Sequence, residues 1–565
     1  MNTWFNDHKS TLDNAIEACQ KRHHWAAYPE VPSEKIYGEG SKQAGEDAFN
    51  ALQNKPFALS VPMSEAAFVA ADAKSPYGIE LGITYPQLPV DKLLEGAEAA
   101  QKQWRRLDTD TRAGVCLEML DRLAKQSFLM AHAVMHTTGQ PFVMSFQAGG
   151  PHALDRGLEA VAYAYQAQTA NETSAEWAKV VGKNRDGEKI VATLDKHYKT
   201  RGKGIGVVIG CATFPTWNSY PGMFADLATG NAVISKPAEG ATLPLAIAID
   251  IMRQVLADAG LNPDLVQLAN TGGERAYTQA LVKDARVKMI DYTGGPGFGT
   301  WLQNNCPDTQ LYLEQAGINN IFIESTDNVK GMANNIGFSL SLYSGQMCTA
   351  PQNIYVPKDG IDTPDGKLSF DEVAAAIAKS VEKLLGDDNR AFAILGAMTS
   401  DAVKARVGEA NAFGEQAGKV VLASCESDYA AFPNASTAKP ILISLDSPDH
   451  DFAQAEQFGP VAFVIACEDR DDALTAVCDS IEKHGAMTTS LYCTDADFKQ
   501  TAIEEIADAG SPLSINLTGG IYVNQSAAFT DFHGSALNPA ANTSLTDLGF
   551  VAQRFGWVTV REERH

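Results

Sequence analysis

The sequence lacks the long apolar run that a membrane-spanning helix needs: nowhere do about 18 consecutive apolar residues occur. Its opening, MNTWFNDHKSTLDNAIEACQK, carries charge throughout and lacks the short apolar stretch of a secretory signal. Basic charge is also scarce. Against 69 Asp plus Glu stand 45 Lys plus Arg, and the formal charge of −24 repels phosphate backbones and anionic lipid surfaces. Neither nucleic acid nor a membrane is an expected partner. Cysteine is sparse: nine residues, without a CxxC pair, give neither a disulfide framework nor a zinc site, so no metal is expected. A soluble cytoplasmic protein is the expectation. Missing too is the GxGxxG fingerprint, so no glycine pattern by itself identifies a cofactor.

What is present begins with length. At 565 residues the chain exceeds the roughly 250–300 residues at which a single core stops growing, so two or more domains are expected. Residues 1–86 mix a helical opening with many Pro, Gly and aromatic residues and read as an irregular extension packed on the rest. Leu93 to Gln126 is rich in helix formers, with apolar residues at three- and four-residue spacings, and further amphipathic helices run to Ala170. Lys189 to Arg201 mixes β-branched and charged residues, as an exposed strand or hairpin does. From Gly206 the apolar strands GVVIG, NAVISK, LVQLAN and VKMIDYTGG alternate with helical stretches, the pattern of a parallel sheet covered by helices. A second alternating region holds NIFIE, NIYVP, VAFVIA and IYVN. The fold class is therefore α/β.

The chemistry concentrates in a few segments. Tyr292 to Gly299 (YTGGPGFG) follows a strand and precedes a helix, a junction that can present backbone N–H groups to a pyrophosphate; a ligand-free glycine turn is an equally good reading of that motif alone. Ser344-Gly345-Gln346-Met347-Cys348-Thr349 places a cysteine after Leu313-Glu314-Gln315-Ala316-Gly317 and Thr216-Trp217-Asn218. Singly, Asn218 reads as a turn cap, Lys236 as a solvated strand-end charge, Glu314 as a surface carboxylate and a cysteine as a small buried hydrophobe. Their joint order reverses those readings.

Asn, then Glu, then Cys, in that order, resembles the aldehyde dehydrogenase superfamily. Ser235-Lys236-Pro237-Ala238-Glu239 looks like its adenosine-ribose segment, Thr293-Gly294-Gly295 with Gly299 like its phosphate turn, and Glu456-Gln457-Phe458-Gly459-Pro460-Val461 like its nicotinamide-ribose segment. The resemblance runs from about Leu93 to Val560. It implies a Rossmann-type cofactor domain (87–317, with an oligomerisation arm at 189–201), an α/β catalytic domain (318–535) and a C-terminal oligomerisation segment (536–565). It implies NAD or NADP as cofactor, with Lys236, Glu239, Thr293, Gly294, Gly295, Gly299, Trp217, Glu456 and Phe458 lining its site. Glu239 leans toward NAD, because a carboxylate there accepts from the adenosine ribose and repels a 2′-phosphate. Cys348 attacks the aldehyde, the Asn218 amide and the Cys348 N–H hold the oxyanion, and Glu314 activates the water that hydrolyses the thioester.

Two departures narrow the match. The usual Glu-Leu-Gly-Gly is Glu314-Gln315-Ala316-Gly317, and the usual Gly- and Ser-rich tail is Phe532-His533-Gly534-Ser535-Ala536-Leu537-Asn538-Pro539. With His23-His24-Trp25-Ala26-Ala27-Tyr28-Pro29 and Thr216-Trp217-Asn218-Ser219-Tyr220-Pro221, these look most like the PaaN branch of phenylacetic acid degradation proteins. That implies a small-molecule aldehyde substrate, the semialdehyde of a ring-opened CoA thioester. Val560 lies near the end of the chain, leaving no room for a fused hydratase, so a separate hydratase partner is expected. A homodimer or homotetramer is expected from the arm and Trp557 to Val560. Two rivals stay open. A CoA-acylating enzyme would pass the acyl group from Cys348 to CoA, although such branches generally lack the Glu. A non-redox hydrolytic or ring-opening protein would pair Cys348 with His533 or His136, and nothing in the sequence places either histidine beside the thiol.

Overall fold

The apolar run beginning at Gly206 forms the centre of a five-stranded sheet in the computed structural model, which describes residues 2–63, 66–315 and 317–564. Its strands are β1 (Ile205–Ile209), β2 (Ala232–Lys236), β3 (Val266–Leu268), β4 (Val287–Thr293) and β5 (Gln310–Glu314). All pair in parallel in the order β3-β2-β1-β4-β5. Every residue of β1 is buried, as helix cover on both faces demands. In this order the winding reverses beside β1, and the crevice at the carboxyl ends of the strands is where a dinucleotide fold takes its ligand.

The second sheet has seven strands: β6 (Asn319–Ile323), β7 (Pro351–Pro357), β8 (Lys419–Leu422), β9 (Ile441–Leu445), β10 (Val461–Cys467), β11 (Thr489–Tyr492) and β12 (Leu513–Ile515). They lie in the order β8-β9-β10-β7-β6-β11-β12, all parallel except for the β8–β9 pair. Only a short connection separates β5 from β6, so the carboxyl end of the first sheet leads directly into the second.

The expected strand at Ile521 to Asn524 (IYVN) does not form. Gly519 and Gly520 precede it, and the Asn335 amide takes the Gly519 and Ile521 carbonyls at 3.1 and 2.7 Å, replacing a ladder with side-chain bonds. Leu93 to Gln126 is also broken, into helices Val90–Trp104 and Thr109–Ala124. Asp108 causes the break, its carboxylate accepting from the Thr111 N–H at 2.6 Å as an N-cap.

Lys189–Gly202 is the central strand of a three-stranded antiparallel sheet, flanked by Ser174–Lys183 and Phe555–Glu563. This sheet keeps Val181, Ile190, Val191 and Val558 about half exposed. Just before its last strand, Arg554 is fully buried and anchors the chain to the cofactor sheet. Its guanidinium donates to Asp226 at 2.9 Å and to both oxygens of Asp291 at 2.8 and 2.5 Å.

The first 86 residues are more ordered than their composition implies. Helix Asn2–Lys21 buries Phe5, Leu12, Ala15 and Ala18 in the same apolar core as the cofactor sheet. Strands Ala67–Lys74 and Glu80–Gln87 form a hairpin with Leu81, Ile83 and Tyr85 fully buried. Residues 22–33 are irregular, and this stretch carries His24 and Trp25.

Candidate active site

Cys348 sits in the connection to β7, after a stretch of unusual backbone. Tyr343, Ser344 and Gly345 have φ of 53°, 51° and 64°, three successive residues in the left-handed region. Such a conformation costs on the order of 1–3 kcal/mol per non-glycine residue and persists only when its surroundings fix it. Here they do. The Tyr343 hydroxyl donates to the Thr138 carbonyl at 2.5 Å, and Ser344 Oγ to those of Leu395 and Ala438. The buried Gln346 amide accepts from Thr399 N at 2.8 Å and donates to the Tyr343 and Ala397 carbonyls. At Gly345 a Cβ would lie 2.4 Å from the Gly459 carbonyl, so only glycine lets the cysteine loop approach the Glu456 to Val461 segment this closely. From the far side, Asn319 Nδ2 donates to the carbonyls of Cys348 and Ala350 at 2.8 and 2.9 Å.

Glu314 ends β5 and Asn218 lies in the first turn of helix Pro215–Ala228, immediately after β1. Both therefore emerge at the carboxyl edge of the sheet, facing the thiol. Asn218 Nδ2 donates to Glu314 Oε2 at 2.9 Å, while Asn218 Oδ1 accepts from Cys211 Sγ at 3.5 Å. Its amide carries a second N–H for another acceptor.

A fourth group completes the cluster. His533 Nε2 lies 3.6 Å from Cys348 Sγ and 3.1 Å from Glu314 Oε1. No spacing signal marked it, because it comes from the tail 185 residues after Cys348. His136 is elsewhere, stacked on Phe49 at 4.8 Å and bonded to Ser75.

The electrostatics are opposed within one cluster. Burial works against ionising Glu314, but the facing His533, together with hydrogen bonds from His533, Cys348 and Asn218, brings its carboxyl below the ordinary value. Burial pushes the Cys348 thiol far up, and the Glu314 charge and hydrogen bond, then Cys211 and Glu456, reinforce this.

Two cavities meet at Cys348. The first, about 600 Å³, is lined by Lys236, Glu239, Thr293, Gly294, Gly295, Glu456 and Phe458, and it reaches Asn218, Glu314 and Cys348. The second, about 570 Å³, reaches Asn218 and Cys348 from the other side and is lined by His24, Trp25, Met144, Trp217, Ile521 and His533. Trp217 therefore belongs to the second cavity, not to the cofactor side. Gly299 does not line the first cavity either: a Cβ there would meet Gln315 Oε1 at 2.2 Å, so the glycine admits the Gln315 side chain. Ala316 of the same motif lies outside the described residues.

The first cavity suits a dinucleotide. Helix Pro296–Asn305 starts at its wall with a proline in the first turn, and Cβ atoms at Gly295 and Gly297 would meet nothing within 4 Å, leaving the helix N-terminus open to a phosphate. Gln315 Oε1 is buried there without a protein partner, an acceptor in want of a donor. Burial holds the Lys236 ammonium below its usual value, with the Glu239 charge opposing the shift. Burial raises Glu456 to about 7, although the Gly317 N–H and the Arg406 charge act against it.

The profile of the Aldehyde dehydrogenase family matches residues 86–535. An N-succinylglutamate 5-semialdehyde dehydrogenase of Burkholderia cenocepacia is 26% identical over 396 residues, 69% of this chain and 74% of its own. The crystal structure of an NAD-dependent aldehyde dehydrogenase from Burkholderia multivorans is 48% identical, with a TM-score of 0.95 over 99% of each chain. A 1-pyrroline-5-carboxylate dehydrogenase from Thermus, solved with bound NAD, shares the fold at 20% identity and a TM-score of 0.73, over 96% of this chain and 99% of its own. With the profile matched across most of its length and a relative that aligns from end to end, the chain belongs to the aldehyde dehydrogenase family.

Proposed function

We propose that the protein oxidises a semialdehyde to a free carboxylic acid through a thioester on Cys348, using NAD in preference to NADP, and that its substrate is the ring-opened CoA thioester of phenylacetate degradation. The enzyme class, an NAD(P)-dependent oxidoreductase acting on aldehydes, follows from the family. The observation that carries the rest is the convergence of Cys348, Glu314 and Asn218 where the two cavities meet.

An aldehyde entering from the second cavity meets Cys348 Sγ, and the S–C bond forms as the carbonyl electron pair moves to oxygen. Asn218 Nδ2 and the Cys348 N–H are the donors for that oxyanion. NAD bound in the first cavity would supply the hydride acceptor, and Gly294, Gly295, Glu239 and Glu456 are among the residues that would hold it. Glu314, kept ionised by its neighbours, then takes a proton from water as the water attacks the thioester. A carboxylate so placed favours hydrolysis over transfer to CoA.

For the substrate, the second cavity is informative. Its charged and titratable lining residues are His24, Glu30, His152, Asp155, Asp531 and His533, with Cys348, and no Lys or Arg among the described residues lines it. A second carboxylate on the substrate would find no Lys or Arg partner there, which disfavours the semialdehyde named for the Burkholderia cenocepacia relative, and an uncharged acyl chain whose CoA phosphates stay outside suits the cavity better. The exposed valines and isoleucine of the three-stranded arm support at least a dimer, with a second copy covering them. A separate hydratase would open the ring upstream.

The test is NADH formation by the purified protein with a ring-opened CoA semialdehyde, with N-succinylglutamate semialdehyde and with simple aliphatic and aromatic aldehydes, under NAD and under NADP. The highest kcat/KM is expected for the CoA semialdehyde with NAD and free acid as product. A preference for N-succinylglutamate semialdehyde, or an acyl-CoA formed only when CoA is added, overturns this reading.

A further inference from the structure

We propose that His533 is a catalytic residue, the proton acceptor that makes Cys348 a thiolate and returns the proton when the thioester breaks. This rests on Cys348 being the nucleophile, as proposed above.

The site poses a problem that Asn218 and Glu314 do not solve. The thiol, partly buried where the two cavities meet, lies beside a carboxylate, with Glu456 and the thiol Cys211 also acting on it, so its surroundings hold the proton on sulfur. A thiolate there needs a positive charge that arises as the proton leaves. His533 is placed to become that charge. One ring nitrogen, Nε2, faces both Cys348 Sγ at 3.6 Å and Glu314 Oε1 at 3.1 Å. With the ring proton on Nδ1, Nε2 is bare and accepts the Sγ proton; the N–H so formed then donates to Glu314 Oε1, so the contact that holds Glu314 ionised belongs to the imidazolium state, between thiolate and carboxylate. The thiolate then forms the S–C bond to the aldehyde carbon. After hydride loss to NAD, Glu314 takes a proton from the attacking water, the C–S bond breaks with its electron pair going to sulfur, and His533 gives its proton back to Sγ. Glu314 passes the proton taken from water to solvent, and thiol, imidazole and carboxylate end the cycle as they began.

The tail that carries His533 is built to hold it. Main-chain bonds join His533 and Leu545 in both directions, at 3.0 and 2.8 Å. The ring packs edge-on against Trp217 at 4.7 Å. Behind Trp217 the fully buried Arg156 lies over the indole, donates to the Asp531 and Leu545 carbonyls at 3.0 Å and pairs with Glu159 at 2.7 Å. A side chain that merely filled space would not need a guanidinium fixing its loop from two sides.

Alkylation by iodoacetamide at neutral pH, without cofactor and read by mass on the Cys348 peptide of the full chain, tests this apart from turnover. His533→Gln is expected to slow Cys348 alkylation by about 10²-fold, the lower end of general-base effects, with NAD affinity unchanged. His533→Gly should be as slow and should recover on adding free imidazole. An unchanged rate in His533→Gln, or a loss in His533→Gly that imidazole does not restore, overturns the proposal. Aldehyde oxidation persisting in Cys348→Ala would instead overturn the nucleophile assignment, so the two failures are distinct.

Discussion

The two cavities that meet at Cys348 are built in different ways. The cofactor side is made of strand ends and the turns that follow them, so Lys236, Thr293 and Glu314 reach it by position in a parallel sheet. The substrate side is assembled from segments remote in sequence: His24 and Trp25 from the irregular stretch of the first 86 residues, Trp217 from a helix, Ile521 and His533 from the tail. The difference is that the first cavity is presented by the strand ends of one sheet, whereas the second combines helix residues with the irregular stretch at His24 and Trp25 and with the tail. The two constructions touch at Cys348 and Asn218.

The comparison can be broken at the junction first. Glu314→Gln keeps a hydrogen-bonding side chain but removes the base, and kcat should fall by about 10³-fold while NADH still appears in a first-turnover burst, seen by stopped flow. Next is the framework of the cofactor side. Arg554→Ala leaves Asp226 and Asp291 buried without their cation, and urea unfolding should show a loss of about 3 kcal/mol. Trp25→Ala separates the two cavities: KM for the aldehyde should rise about tenfold, the scale of a lost apolar pocket contact, with NAD affinity unchanged in titration calorimetry. The smallest effect is one of pH. Burial places Glu456 near 7, so as pH falls through 7 its carboxylate becomes neutral and a weaker acceptor for a ribose hydroxyl. NAD affinity should weaken about fivefold between pH 8 and 6, and Glu456→Gln should flatten that slope.

The same division explains what could be read from sequence. Buried parallel strands are continuous apolar runs, so the strands from GVVIG to VKMIDYTGG and from NIFIE to VAFVIA were legible, and with them the α/β class. Glu314, Cys348 and Glu456 each stand in a short ordered motif at a turn, which let them be named together. The tail offers no such handle. IYVN has the composition of a strand, yet the Asn335 amide donates to its Ile521 carbonyl and to Gly519 just before it, a tertiary contact that no local pattern reveals. His533 entered only in a rival reading, and nothing local places it beside the thiol, since its two partners lie 185 and 219 residues away. Trp217 and Gly299 stand beside cofactor motifs in sequence, but a helix turns one indole into the other cavity and Gln315 occupies the space over the glycine. The helical opening of the first 86 residues was legible, but not the hairpin that follows it nor the packing of the helix's apolar face into the cofactor core, because Pro and aromatic residues nearby dominate their composition.

A covalent intermediate at Cys348 underlies the proposed chemistry. Its most direct test is intact-mass analysis of Glu314→Gln quenched during turnover with an aldehyde and NAD. An acyl adduct that maps to Cys348 and is absent from the Cys348→Ala variant is the predicted result, whereas NADH formation at an undiminished rate in Cys348→Ala would contradict it.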